Sequence, residues 1–384
     1  MELTDAQALA LRMRSLLLGP GAGPDSVAGV VEWFGAMQAQ DMASGLWSLG
    51  VRLPAFTLDD VNAALERREA IRTWPMRGTV HLVPPADAHW MLELTGVRML
   101  AGAAKRRAVI GLEERDADRG VEVLATVLKG RRLTRAECLT ALADAGIELA
   151  GQKGYHLMWY ASQKGVTCIA PHVGKEQTFV LLDEWVPEPN RPSREEALGI
   201  IALRFFRGHG PATRADLARW TGLTMTDVKA GVAAAGDALT TVRVDGTEML
   251  VAPELLDAPA APPAGGWTAL PGFDEYMLGY KDRGLMMDDA HLQAVVPGGN
   301  GVFQSTIVRD GRVVGTWKRT LGAKAVTIDV FPLVPLGAAE REQAEAALLP
   351  YSAFVGLPRG SAGRRARSGR GRVPARCRRS PRRG

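Results

Sequence analysis

Residues 211–236 read PATRADLARWTGLTMTDVKAGVAAAG. A helix is expected just before this stretch, over 194–208 after Ser193. Strands are expected after it, over 239–245 and 248–252. Helices joined by tight turns and closed by a pair of strands form a winged helix-turn-helix. The phrase recurs: RLTRAECLTAL at 132–142 and PATRADLARWTGL at 211–223 hold matching places, each beginning about three residues after an expected helix, as in a degenerate repeat.

Working outward, the copy around 132–142 has helices expected over 121–129, from 133, and over 154–164, with strands over 166–170 and 178–182. A first copy lies upstream. Thr4 is a plausible cap for a helix over 4–18, which the turn GPGAGPD breaks. A second helix runs from Asp25 or Ser26 to Phe34 or Met37. A strand over 46–53, a third helix over 57–68 and a strand over 79–83 follow. The stretch DAPAAPPAGG at 257–266 reads as a linker. Beyond it, strands over 302–308 and 312–318 flank Asp310-Gly311, a tight-hairpin signal. Another strand over 324–334 and a helix over 340–348 complete the pattern. The expected class is α+β: three tandem winged helix-turn-helix repeats (1–100, 101–190, 191–256), then a small β-barrel or sheet (257–357), then a disordered Arg-rich tail (358–384).

Composition narrows the function. The 384 residues carry a formal net charge of +5, but the stretch from Arg359 to Gly384 holds eleven arginines and no acid, which leaves the rest at about −6. Nucleic-acid affinity of the folded body must then come from a local basic face. The tail reads either as a nucleic-acid-binding arm or as the product of a shifted reading frame in GC-rich DNA. Cys138, Cys168 and Cys377 are scattered, which argues against a disulfide framework or a zinc site. No apolar run reaches membrane-spanning length, and the acid-bearing N-terminus is not a secretory signal. A cytoplasmic, monomeric protein is expected. Signatures such as GxSxG, HExxH, the P-loop and GxGxxG are missing.

Three pieces stand out: QAQD at 38–41, RTWPMRGTVHLV at 72–83 and DEYMLGYKDR at 274–283. In this order they resemble the winged-helix DNA glycosylases of the AlkZ type, over residues 1 to about 357. That resemblance implies three winged helices and a β-barrel forming a C-shaped clamp on double-stranded DNA. It implies excision of alkylated bases and unhooking of interstrand crosslinks, without metal or cofactor. The family's Gln-apolar-Gln motif falls on Gln38, Ala39 and Gln40. A sister branch has Asp at the second Gln, and alanine is a small choice for the middle position.

The chemistry suits two amides. An N7- or N3-alkylated purine is cationic and leaves readily, so a positioned water and stabilisation of the sugar cation matter more than a strong acid. A glutamine carbonyl accepts from water, and its NH₂ donates to substrate. Asp41 adds charge or caps a turn. The rival reading makes all three surface groups near a helix end. In the second motif Arg77, Thr79 and His81 reach phosphate or base; alternatively, Arg77 satisfies carbonyls and His81 packs inside. In the third, Lys281 and Arg283 clamp phosphate, or pair with Asp274 and Glu275. Trp317, Lys318 and Arg319 suit a phosphate contact with aromatic support. Lys105-Arg106-Arg107 forms either a basic patch or a solvated helix face. The competing function is a non-catalytic winged-helix regulator, but VKAGVAAAG and GYHLMWYASQKG are poor in base for major-groove reading.

Overall fold

The computed structural model describes residues 1–19, 23–256, 266–299 and 301–360. The linker over 257–265 and the Arg-rich tail from 361 lie outside the described residues.

β1 (Glu2–Leu3) leads into α1 (Asp5–Ser15), which starts at Thr4. The Thr4 hydroxyl accepts from the Gln7 amide, and the Gln7 side chain accepts from Thr4 N–H, a reciprocal cap. α2 (Val27–Phe34) is capped by Ser26 and stopped by Gly35 at φ +77, a conformation that glycine adopts without strain. The chain then extends into β2 (Met37–Gln38). The Gln-Ala-Gln segment therefore leaves a strand and does not end a helix.

The strand expected over 46–53 is helical: α3 (Met42–Gly50). Every residue from Ser44 to Gly50 is buried, so the run shows no polar face, and a short enclosed apolar run looks the same as strand or helix. Trp47 closes it in. Its Nε1 donates to Ala269 O at 3.0 Å, and its ring packs edge-on against Tyr351. α4 (Leu58–Glu66) follows, capped by Thr57. β3 (Ile71–Thr73) and β4 (His81–Val83) pair antiparallel across a tight turn where Arg77 has φ +54 and Gly78 φ +68.

α5 (Ala88–Ile110) spans a region where only the solvated helix face at Lys105-Arg106-Arg107 hinted at a helix. After it come α6 (Glu114–Val127), β5 (Leu133–Thr134), α7 (Arg135–Asp144), α8 (Lys153–Gln163), β6 (Thr167–Val173), β7 (Glu176–Leu181) and α9 (Leu182–Trp185). The third segment holds α10 (Arg194–His209), α11 (Arg214–Thr221), α12 (Met225–Ala235), β8 (Thr240–Val244) and β9 (Thr247–Val251). Ser193–Glu196 and Thr213–Asp216 cap α10 and α11 reciprocally.

The strands cross these segments. One six-stranded sheet runs β2-β4-β3-β6-β7-β5, joined where Arg72 faces Ile169. β8 and β9 form a separate sheet with β1 alongside β8 in parallel. The C-terminal part contributes β10 (Trp267–Leu270), α13 (Glu275–Leu278), α14 (Leu292–Val295), β11 (Ser305–Arg309), β12 (Arg312–Leu321), β13 (Val326–Pro332), α15 (Ala338–Ala346) and α16 (Leu349–Phe354). Its strands form an open antiparallel sheet, β10-β11-β12-β13, with β10 and β13 at opposite edges. The barrel alternative is thereby corrected to a sheet, and α15 and α16 pack beside β10 and α3. The hairpin at Asp310-Gly311 is present, with φ +51 and +78, as a two-residue turn matched to strand twist requires.

Candidate active site

The site grows from β2, an edge strand of the six-stranded sheet. Gln38 lies opposite His81 on β4. The ladder continues one step, Ala39 N–H donating to Val80 O at 2.9 Å. Val80 N–H then donates to the Gln40 side-chain Oε1 at 3.0 Å. Extended backbone places Gln38 and Gln40 on one side and Ala39 on the other. Gln38 is largely buried and Gln40 exposed. The Gln38 side-chain amide has no hydrogen-bond partner among the described residues, whereas the Gln40 carbonyl is engaged and leaves its NH₂ free. Alanine in the middle has a structural reason: a Cβ on Gly45 of α3 would stand 2.9 Å from the Ala39 Cβ. The helix lies directly on this residue. Asp41 occupies the cap position of α3 and accepts from Ser44 Oγ at 2.5 Å, with Arg319 Nη2 3.5 Å away.

Two buried carboxylates fix this segment from behind. Glu275 Oε1 accepts the Gln38 backbone N–H at 3.0 Å, and its Oε2 accepts from Trp220 Nε1 at 2.8 Å and faces His209 Nε2 at 3.1 Å. Burial pushes the Glu275 carboxyl up. The His209 bond and charge, the Gln38 amide and the Trp220 indole more than offset this, and its pKa lies below the ordinary value. Asp274 holds Arg52 through two oxygens, at 2.8 and 3.0 Å, and accepts from Ser48 Oγ at 2.6 Å. Burial again raises its carboxyl, and Arg52, Ser48 and the Tyr276 amide bring it below the usual range. The expected partners of these acids, Lys281 and Arg283, are thus replaced by His209 and Arg52.

His81 is wholly buried, and its Nδ1 faces Thr79 O at 2.8 Å. A carbonyl only accepts, so Nδ1 carries the proton and Nε2 is a bare acceptor, without a partner among the described residues. Burial, then the charge of Arg77, pushes its pKa down to about 4; the ring is neutral at pH 7. Arg72 reaches the Ala39 carbonyl at 3.3 Å and His172 Nε2 at 3.4 Å. Desolvation lowers its pKa to about 10, against the pull of Asp41. Sequence reading quoted Arg72 without singling it out. Its one visible signal was a charge between Ile71 and Thr73 at the entry to the second motif.

The remaining candidates divide. Arg77 donates to the carbonyls of Arg219 and Trp220, and Arg283 Nε to Met277 O at 2.8 Å; both serve carbonyls. Trp317 is buried, its Nε1 donating to Leu270 O at 2.8 Å, so it offers no surface to phosphate, and neither does His81. Thr79 is half-exposed beside Gln40's partner Val80, and its hydroxyl donates to Met76 O at 3.2 Å. Lys281 and Lys318 are exposed. Arg319, half-buried, lies over the Tyr351 ring and toward Asp41. Of the basic run, Arg107 is buried and paired with Glu114, while Lys105 and Arg106 are exposed.

Residues 31–354 match the AlkZ-like family, described as DNA glycosylase AlkZ-like. An interstrand DNA cross-link repair glycosylase of Streptomyces sahachiroi is 29% identical over 369 residues, covering 90% of this chain and 96% of that protein. The solved structure of Streptomyces sahachiroi DNA glycosylase AlkZ superposes with a TM-score of 0.77 at 26% identity, over 94% of this chain and 98% of that one.

Proposed function

The chain belongs to the AlkZ-like DNA glycosylase family, and we propose that it hydrolyses the N-glycosidic bond of alkylated purines, N7 and N3 adducts, in double-stranded DNA, interstrand crosslinks included. It is a DNA glycosylase; the substrate class and the roles below are our reading. The observation that carries it is the unequal state of the two side-chain amides: the Gln40 carbonyl is held by Val80 N–H, while the Gln38 side chain has no hydrogen-bond partner among the described residues. Gln38 is free to accept a hydrogen bond from the attacking water and to set partial negative charge against the developing sugar cation. Gln40 is left to donate through its NH₂. Asp41 adds a nearby formal charge. The bond to a cationic purine weakens first, water adds at the anomeric carbon, and its proton passes to solvent. An abasic site and a neutral alkylpurine remain. The exposed Lys281 and Lys318 and the half-buried Arg319 are the cations assigned to phosphate, and tandem winged-helix units carry the duplex.

The test is incubation of purified protein with duplex DNA carrying 7-methylguanine and, separately, a single N7–N7 guanine crosslink. Free 7-methylguanine and strands separable on a denaturing gel after alkaline cleavage are expected. Intact crosslink with released methylpurine confines the activity to monoadducts. No base from either substrate refutes the reading.

A further inference from the structure

A cavity opens at Gly78, two residues before the Val80 whose amide holds Gln40. It has a volume of about 490 Å³ and lies between α5, α8 and the turn at Gly78. Met99, Tyr155, His156 and Trp159 line it, with the exposed Arg98 and Arg106 beside them. Gly78 forms part of its wall. A Cβ on Gly78 would stand 2.9 Å from Met99 Cε and 3.2 Å from Trp159 Nε1, and Gly78 is two residues, at most about 7 Å of chain, from the Val80 amide that holds Gln40. Gly78 and Thr79, both half-exposed, lie in the chain between the cavity and Val80.

Its chemistry selects one kind of occupant. No carboxylate lines it and the cations Arg98 and Arg106 do, so a cationic purine is repelled from it. Tyr155 is 45% exposed, which leaves an aromatic face open for stacking. Trp159 Nε1–H is without a protein acceptor among the described residues. His156 is 5% exposed and its Nε2 is unpartnered among them. Burial and then Arg107 and Arg106 push its pKa down to about 4, so the floor is uncharged. Resting on the glycosylase reading above, we propose that this cavity receives the neutral planar aromatic part of a bulky purine adduct while the alkylated base lies at Gln38 and Gln40. A methyl adduct leaves it empty.

Full-length protein is assayed on duplexes carrying N7-methylguanine or an N7-guanine adduct with a fused two-ring arylmethyl group. The ratio of kcat/KM, arylmethyl over methyl, is expected to fall about tenfold in Tyr155→Ala and to return in Tyr155→Phe, which keeps the stacking face. An unchanged ratio in Tyr155→Ala, with methyl release intact, overturns this inference alone. Failure of the wild type to release either base overturns the glycosylase reading and this inference with it.

Discussion

Glu275 shows how a residue away from the reacting atoms sets what the glutamines can do. Its two oxygens serve the Gln38 backbone, Trp220 and His209 while it is 1% exposed. Glu275→Gln replaces an acceptor-only group by one that also donates, leaving one donor facing another. A loss of about 3 kcal/mol in stability, with kcat falling more than KM rises, is expected from urea denaturation and steady-state kinetics; unchanged values for both contradict the role. His81 makes a second residue-scale prediction. Its pKa falls from 6.5 to about 4 on folding, so as pH drops the unfolded chain takes up the proton first. Its contribution is whole above pH 6.5 and is lost between 6.5 and 4, by about 3 kcal/mol at most. His156 acts with the same sign. His81→Asn keeps a donor for Thr79 O and cannot titrate, so its stability should fall less steeply across that window; an identical slope refutes the assignment.

At the scale of elements, the decisive contact is α3 against the strand exit. Gly45 is the point of closest approach, with Ala39 Cβ 2.9 Å and Ala39 Cα 3.2 Å from where its Cβ would be. In a free helix Gly→Ala stabilises by about 1 kcal/mol. Here it must displace the Gln-Ala-Gln segment. Gly45→Ala is expected to reduce kcat at least tenfold while the melting temperature moves by only a few degrees; full activity contradicts the packing argument. This contact also marks where sequence reading stopped. Elements with a polar face or a chemical cap were legible: Thr4, Thr57, Thr134, Ser193 and Thr213 each announce a helix that is present, and Asp310-Gly311 its hairpin. The buried α3 carried no periodicity and was read as a strand, and the 23-residue α5 has its buried residues mostly in its first half, so its length was not read. At the site, QAQD was visible as a motif. The partners of Glu275 and Asp274 were not, because Gln38, Arg52 and His209 approach from distant parts of the chain. Spacing in sequence holds no record of such contacts.

Across the whole molecule, a fully buried ion pair joins the N-terminal and C-terminal parts. Arg52 beside α3 and Asp274 before α13 are 0% and 1% exposed in their side chains. Removing one charge strands the other in a dry interior, so Asp274→Asn is expected to cost about 3–5 kcal/mol, read as a lower urea midpoint at unchanged slope; a variant as stable as wild type contradicts it. The same junction carries the Glu275 anchor, so the start of α13 holds the Gln-Ala-Gln segment in place. The most direct test of the central claim is base release by Gln38→Ala, Gln40→Ala and the double variant on 7-methylguanine duplex DNA, with binding to the same duplex measured alongside. Release falling about 10²–10³-fold, with binding within threefold of wild type and Gln38→Ala the more severe single change, is the predicted result. Release by the double variant at the wild-type rate would contradict it.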